Sequence, residues 1–375
     1  MKFLFTCGGT AGHINPALSV AGRIRELLPD SDFLFIGSEG NMETELVPRE
    51  GYEIRSVRVS SLSRSLSLEG VKHNLHAAYD LTGSMSAAKR IIREFRPDAV
   101  IGTGGYVCYP VLHEAAKMGI PTAVHESNAE PGLTTRMLEG SVDLIMVGFE
   151  SARQNYRHPD KVRVTGTPVR QEFLRYAQTE AKAALGLRPE EKLVVSVWGS
   201  LGATEMNKTV ARFVKLALGE KSFHFIHSAG KRGIEGMRRY MRDELALDSW
   251  ERDGFEIRDY IYDMPAVMCA ADLVLCRSGA STLAELTAIG KPCILVPSPN
   301  VVNDHQRKNA QVLHDAGGAV MIPEKEADAG RLYETVTELL EDDARLAAMS
   351  TAMSGLSVEN AADEITSLVL GLAAK

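Results

Sequence analysis

At 375 residues the chain is long enough for two domains, each with its own core. Its 45% hydrophobic and 24% charged residues are those of an ordinary globular protein, which excludes a disordered or fibrous chain. A net charge of −7 argues against general nucleic-acid binding and means that any membrane contact must use a local basic patch.

Strands are predicted near 2–6, 32–37, 53–59, 98–102, 121–125, 143–147 and 162–165, then near 192–198, 222–228, 255–258, 272–276, 292–296 and 319–322. The first ends in Gly8-Gly9-Thr10-Ala11-Gly12-His13. Pro16 then reads as the opening of an amphipathic helix to Leu28, with Ala17, Val20, Ala21, Ile24 and Leu27 on one face. A long helix-rich insertion covers 66–95. The change of domain is expected at Gly166-Thr167-Pro168-Val169-Arg170, giving domains 1–165 and 166–354; the last helical stretch, about 355–375, has no strand after it and is open to packing back on the first domain. Strands alternating with helices imply an α/β fold of parallel sheets covered on both faces. No run reaches the ~18 apolar residues of a membrane span. The apolar start after Lys2 is too short for a secretory signal. Cys7, Cys108, Cys269, Cys276 and Cys293 form no C-x-x-C pair and read as reduced core residues of a cytosolic protein.

In open parallel sheets ligands bind at the carboxyl ends of strands. Those ends are crowded here with glycine and polar residues: the Gly8–His13 turn; Thr103-Gly104-Gly105-Tyr106; His125-Glu126-Ser127-Asn128; Gly199-Ser200-Leu201-Gly202-Ala203; Arg277-Ser278-Gly279-Ala280-Ser281-Thr282; and Asn303-Asp304-His305-Gln306 with Asn309. Two glycine turns at helix starts, one in each half, are anion cradles, since free N–H groups and the helix dipole favour negative charge there. This predicts two related domains facing across a ligand-filled cleft. The first turn is not the G-x-G-x-x-G dinucleotide fingerprint, and no acidic residue closes the second strand, so a nicotinamide cofactor is not expected. In the 276–286 segment, small residues allow a ligand close to a helix start, and Glu285 one turn on can accept both hydroxyls of a ribose. One strand–helix unit can thus hold a nucleoside diphosphate, with Arg277 and Arg170 adding positive charge.

GGTAGHINPAL, GTGGYV, HESN, GTPVR, GSLGA, RSGASTLAEL and DHQRKNA, in this order and spacing, resemble the MurG family, the UDP-N-acetylglucosamine–N-acetylmuramyl-(pentapeptide) pyrophosphoryl-undecaprenol N-acetylglucosamine transferases of bacterial wall synthesis. The resemblance runs from residue 2 to about 340. It implies the GT-B fold, inverting transfer of N-acetylglucosamine from UDP-N-acetylglucosamine to the 4-hydroxyl of lipid I to give lipid II, and neither metal nor cofactor. By matching position, the second domain holds the donor. Ser200 meets the diphosphate, Ile261 the uracil through its backbone, and Ala280, Ser281, Thr282, Leu283, Ala284 and Glu285 the phosphates and ribose. Gln306 and Asn309 meet the sugar, and Arg170 and Asn128 also match donor-contacting positions. Thr10, Ala11 and Gly12 face the acceptor. His13 is the expected base, with Glu126 and Tyr106 as further catalytic candidates. Ala11 stands where the family more often has Gly, and Ser127 where it more often has Gln.

Each residue also has a plainer reading: His13 bonding a backbone group, His125-Glu126 fixing a loop, Glu285 paired with a surface cation, Tyr106 and Trp198 as walls. Leu62, Leu66, Val71, Leu75 and Tyr79, rimmed by Lys72, Lys89, Arg90 and Arg93, form either the core face of an ordinary helix or an apolar patch resting on anionic inner-leaflet lipid. The second makes the protein peripheral on the cytoplasmic face of the membrane. The competing functions are another enzyme of the same fold, such as a natural-product glycosyltransferase or a UDP-sugar 2-epimerase, and a nucleotide-sugar-binding regulator without turnover. An epimerase needs more cleft carboxylates than Glu126 and Glu285 supply.

Overall fold

A computed structural model describes residues 1–60, 68–199, 203–219, 223–247, 254–358 and 360–374, with residues 68–79 and 302 described by backbone alone. The chain divides into two compact units, Met1–Val169 with Val358–Lys375, and Arg170–Ser357.

The first unit runs β1 (Lys2–Thr6), α1 (Ala11–Leu27), β2 (Asp32–Ser38), α2 (Glu43–Arg49), β3 (Glu53–Val57), α3 (Leu68–Phe95), β4 (Ala99–Gly102), α4 (Cys108–Lys117), β5 (Thr122–Glu126), α5 (Leu133–Leu138), β6 (Leu144–Val147) and β7 (Val162–Val164). Its parallel sheet has the order β3-β2-β1-β4-β5-β6-β7. The alternation of side chains along a strand splits the core into two layers. Phe3, Phe5 and Phe35 lie with Ile14, Val20 and Ile24 of α1 on one face; Leu4, Ile36 and Val100 lie with Ile92 of α3 and Val111 of α4 on the other. Register sets Phe3 beside Phe33 and Phe5 beside Phe35, with ring centroids 5.9 and 5.2 Å apart. Each fully buried ring contributes about 1.5–3 kcal/mol.

The second unit runs α6 (Gln178–Ala184), β8 (Leu193–Val197), α7 (Thr204–Ala217), β9 (His224–Ser228), α8 (Ile234–Leu245), β10 (Phe255–Arg258), α9 (Met264–Ala270), β11 (Leu273–Cys276), α10 (Ala280–Ala288), β12 (Cys293–Leu295), α11 (His305–Asp315), β13 (Ala319–Met321), α12 (Ala329–Glu341) and α13 (Asp343–Gly355). Its parallel sheet is ordered β10-β9-β8-β11-β12-β13. The last helix, α14 (Ala361–Ala373), returns to the first unit, where Ile365 and Val369 join the α1 side of the core.

Every predicted strand is present to within two residues. One expectation is corrected. Pro16 does not open α1, which starts five residues earlier at Ala11, after Thr10 with extended backbone (φ −140°, ψ 153°). His13 and Ile14 donate their N–H groups to the Thr10 carbonyl at 3.0 and 3.2 Å, closing the first turn upstream of the proline. Pro16 is buried in the second turn, and its preset φ suits the helix although it removes one N–H from the ladder.

Candidate functional site

In the first unit the ends of β1, β4 and β5 hold the residues expected to act on the acceptor. His13 lies in the first turn of α1, whose first turn contains no acidic residue. Its Nδ1 is 2.9 Å from the Gly8 carbonyl, with the Thr10 hydroxyl at 3.5 Å. A carbonyl accepts only, so Nδ1 carries a hydrogen, and in the neutral ring the lone pair is on Nε2. The ring lies against Gly104, where a Cβ would sit 2.4 Å from its Cδ2. At Gly105 (φ +92°) a Cβ would stand 2.5 Å from the Gly8 carbonyl oxygen. The two glycines let the β4 turn close on the β1 turn, and the Gly8 N–H donates to the Gly104 carbonyl at 3.1 Å. Thr103 adds a hydroxyl donated to the His13 carbonyl at 2.6 Å. Thr10 is exposed and Ala11 and Gly12 are half-buried beside it. Tyr106, next in the β4 turn, is 40% exposed.

The His125-Glu126 pair is occupied with the fold. His125 is buried, its Nε2–H donates to the Gly166 carbonyl at 2.8 Å, and burial pushes its pKa down, so it stays neutral. Glu126 accepts four hydrogen bonds. Oε1 takes the N–H and side-chain amide of Asn128, at 3.1 and 2.8 Å; Oε2 takes the N–H of Gly132 and the hydroxyl of Thr135, at 2.8 and 2.9 Å. All four lone-pair directions of a buried carboxylate are thereby used. Glu126, expected among the catalytic candidates, is in this geometry the clamp of the loop from β5 to α5, and it orients Asn128.

In the second unit most of the donor candidates follow the ends of β10, β11 and β12. Gly279 caps α10, Leu283 donates its N–H to the Gly279 carbonyl at 3.0 Å, and no acidic residue lies in the first turn. Ala280, Ser281 and Thr282 form that turn, with Leu283 buried beneath and Ala284 half-buried. Glu285 meets Arg170, whose Nε and Nη2 both donate to Oε1 at 3.2 Å. Burial pushes the Glu285 carboxyl up, against the pull of the Arg170 guanidinium. Ser278 is fully buried, with its Oγ lacking a partner among the described residues; its carbonyl accepts the Asn309 amide at 3.2 Å. Gln306, in the first turn of α11, accepts the Ser298 N–H at 2.9 Å. Ile261 is buried just beyond β10, between Tyr260 and the 75%-exposed Tyr262. Ser200 lies outside the described residues. Arg277 is not available to a phosphate: it pairs with Glu324 at 2.5 Å, donates to the Val296 carbonyl, and lies over the Trp198 ring.

Two participants escaped the sequence. Glu43 is fully buried and accepts the Gly9 N–H at 3.1 Å and the Ser38 N–H at 2.8 Å, so it pins the turns after β1 and β2 together. Nothing in the run Glu39, Glu43, Glu45 singles it out. In the second unit, Ser196 joins the Trp198 indole N–H (2.9 Å) to buried His227 (3.1 Å), and burial holds the His227 pKa down at about 3.

Comparison with known proteins separates what this geometry shares with many enzymes from what it shares with one family. Residues 3–147 match the glycosyltransferase family 28 N-terminal domain and residues 193–365 its C-terminal domain. A UDP-N-acetylglucosamine–N-acetylmuramyl-(pentapeptide) pyrophosphoryl-undecaprenol N-acetylglucosamine transferase of Acetivibrio thermocellus is 40% identical over 98% of this chain and 97% of its own length. The protein of the same name from Caldanaerobacter subterraneus is 40% identical over 98% and 99%. Among solved structures, MurG of Acinetobacter baumannii superposes with a TM-score of 0.76 at 24% identity, covering 99% of both chains. The UDP-GlcNAc 2-epimerase of Neisseria meningitidis, bound to UDP-GlcNAc, reaches 0.67 at 16% identity over 99% and 100%. Backbone likeness at these identities shows the fold, GT-B, which transferases and epimerases share; the sequence relatives decide between them. The chain belongs to glycosyltransferase family 28 and, within it, to the family of UDP-N-acetylglucosamine–N-acetylmuramyl-(pentapeptide) pyrophosphoryl-undecaprenol N-acetylglucosamine transferases.

Proposed function

We propose that this chain moves N-acetylglucosamine from UDP-N-acetylglucosamine to the 4-hydroxyl of the muramyl unit of lipid I, with inversion, giving lipid II. The observation that carries the reading is 40% identity along 98% of the chain to relatives named for this reaction. The second unit is the donor side. Arg170 engages one oxygen of Glu285, which leaves Oε2 to accept the ribose hydroxyls. The amides at the start of α10, with Ser200, meet the diphosphate and stabilise the charge that develops on departing UDP. The backbone at Ile261 reads the uracil, and Gln306 and Asn309 position the sugar.

The first unit is the acceptor side. His13, with Nε2 unprotonated, takes the proton of the attacking hydroxyl as that oxygen bonds to the anomeric carbon and the bond to the UDP oxygen breaks. Glu126 holds the neighbouring loop and orients Asn128, which matches a donor-contacting position, and Tyr106 is the further catalytic candidate. The lipid-linked acceptor brings the enzyme to the cytoplasmic face of the membrane as a peripheral protein. No described helix is long and apolar enough to cross it. The rim expected to meet anionic lipid is Lys72, Lys89, Arg90 and Arg93. Leu62 and Leu66 of the apolar centre lie outside the described residues, as do the side chains of Val71, Lys72, Leu75 and Tyr79.

Incubation with UDP-N-acetylglucosamine and a soluble lipid I analogue tests the reading. Acceptor-dependent UDP release with a disaccharide product is the expected result. Epimerised sugar without acceptor, or tight UDP binding with no turnover, overturns it in favour of an epimerase or a regulator.

A further inference from the structure

We propose that the groove at the outer end of the first unit's sheet seats the peptide of the acceptor, through an arginine pair that receives peptide carboxylate. The inference rests on the transfer reading, and it adds a binding site distinct from the strand-end turns described above.

The groove is a cavity of about 520 Å³ lined by Glu39 beyond β2, by Ser56, Val57 and Arg58 at the end of β3, and by Asp80, Ser84 and Arg90 of α3. Its size is that of an ordinary ligand pocket. Three features fit a peptide. The first is charge. Arg58 is 72% exposed and pairs with exposed Glu39 at 3.6 Å, a weak contact that a ligand carboxylate can replace. Among the described residues Arg90 forms no ion pair, and it opens into the same cavity. Two guanidinium groups facing one groove suit bidentate capture of carboxylate.

The second feature is the backbone. β3 is the edge strand of the sheet, and no described strand pairs with its outer side. An extended peptide can use such an edge, its backbone giving affinity while side-chain pockets give selectivity.

The third is distance. β1, which ends in the turn leading to His13, lies two strands from β3. At strand spacings of 4.7–4.9 Å the two strand ends are about 10 Å apart. In a muramyl peptide the peptide leaves from oxygen 3, beside the hydroxyl on carbon 4. With that hydroxyl at His13, an extended pentapeptide, about 17 Å long, reaches across β2 to the groove. The relatives' names give their acceptor as a muramyl pentapeptide.

The test compares two soluble short-chain acceptors, one with the full pentapeptide and one with the peptide removed, in vesicle-free solution. Wild type is expected to show about tenfold higher kcat/KM with the pentapeptide, the size of a charge-assisted contact. Arg58→Glu is expected to abolish that preference, leaving the peptide-free acceptor and the donor KM within about twofold of wild type. Arg58→Lys, which keeps charge but not the planar fork, is expected to fall between them. Equal kcat/KM for the two acceptors with wild type, or equal loss on both with Arg58→Glu, overturns the proposal. Fluorescence anisotropy of a labelled muramyl pentapeptide separates the two readings. Arginine-dependent binding without UDP release from either acceptor sinks the transfer reading and keeps the groove. UDP release from both acceptors at the same efficiency sinks the groove and keeps the transfer.

Discussion

At the scale of the residue, the two candidate sites differ in how their key side chains are held. His13 is fixed by one hydrogen bond to a carbonyl and by contact with a glycine, so its tautomer and plane are set while Nε2 stays available. His13→Ala is expected to lower kcat by about 10²–10⁴-fold, the reach of a general base, with UDP affinity largely kept because the residues proposed for the donor lie mainly on the other unit. A variant that keeps more than about a tenth of wild-type kcat removes His13 from proton transfer. Suspicion cannot then pass to His125 or Glu126, whose polar atoms are consumed by the fold; Tyr106 is what remains. Glu285 is held more tightly and carries a pH signature. A charge-assisted hydrogen bond contributes about 1.5–3 kcal/mol, so Glu285→Ala should weaken UDP binding roughly 10- to 100-fold in calorimetry and flatten the preference over 2′-deoxy-UDP. Its carboxyl is raised above 4.5 by burial, and the ionised form is the better acceptor for two hydroxyls. UDP affinity of the free enzyme should therefore be full at neutral pH and fall on acidification through a midpoint above 4.5, and the alanine variant should lose that dependence. Unchanged UDP affinity in the variant removes Glu285 from the ribose.

At the scale of the element, α14 shows what an isolated stretch of sequence conceals. Its helical character is readable, and packing back on the first domain is one of its options, but its address is not fixed, because a helix with no following strand has no topological neighbour to fix it. The structure supplies one: Ile365 and Val369, both fully or almost fully buried, complete the core layer of Phe3, Phe5 and α1. Ile365→Ala should cost about 2–5 kcal/mol, as for other large-to-small changes in a packed core. The Arg23–Asp363 contact between α1 and α14 is half-exposed on both sides, so Asp363→Asn should cost under about 1 kcal/mol. Denaturant titration of both variants checks this, and an Asp363→Asn loss as large as that of Ile365→Ala would mean that the helix is held by charge rather than by packing. The strands, by contrast, were legible throughout, since short β-branched and aromatic runs between glycine turns admit few other readings. So were the glycine turns after β1 and β4 of the first unit. What stayed hidden was pairing at long sequence distance: Glu43 reaching back to Gly9, Arg277 turned away to Glu324, and the four donors that Glu126 gathers from its own loop. The Pro16 error has the same root, because a proline one turn inside a helix looks in sequence like a proline at its start.

At the scale of the whole molecule, an acidic protein must work on an acceptor tied to a membrane. With a net charge of −7, long-range attraction to an anionic bilayer is unfavourable on average, so a contact has to come from a local cluster. The C-terminal half of α3 offers one on the first unit: Lys89 is half-exposed and Arg90 and Arg93 are exposed, while Ile91 and Ile92 of the same turns are buried in the core. The inner face of the helix is thereby spent on the fold, and the basic residues are what it shows to solvent. Each basic residue near an anionic surface contributes about 1 kcal/mol, so reversing two of them changes the partition by roughly two charges twice over. Lys89→Glu with Arg93→Glu leaves Arg90 in its groove and should cut co-sedimentation with phosphatidylserine-containing vesicles by at least about tenfold at low salt. Wild-type binding should weaken as ionic strength rises from about 0.01 to 0.15 M, where the screening length shrinks from 30 to 8 Å. Activity on a soluble short-chain acceptor should be unaffected, because neither residue belongs to the turns around His13. Equal sedimentation of wild type and variant, or binding indifferent to vesicle charge, would reduce this face of α3 to a solvated helix surface and leave the lipid tail of the acceptor as the only tie to the bilayer.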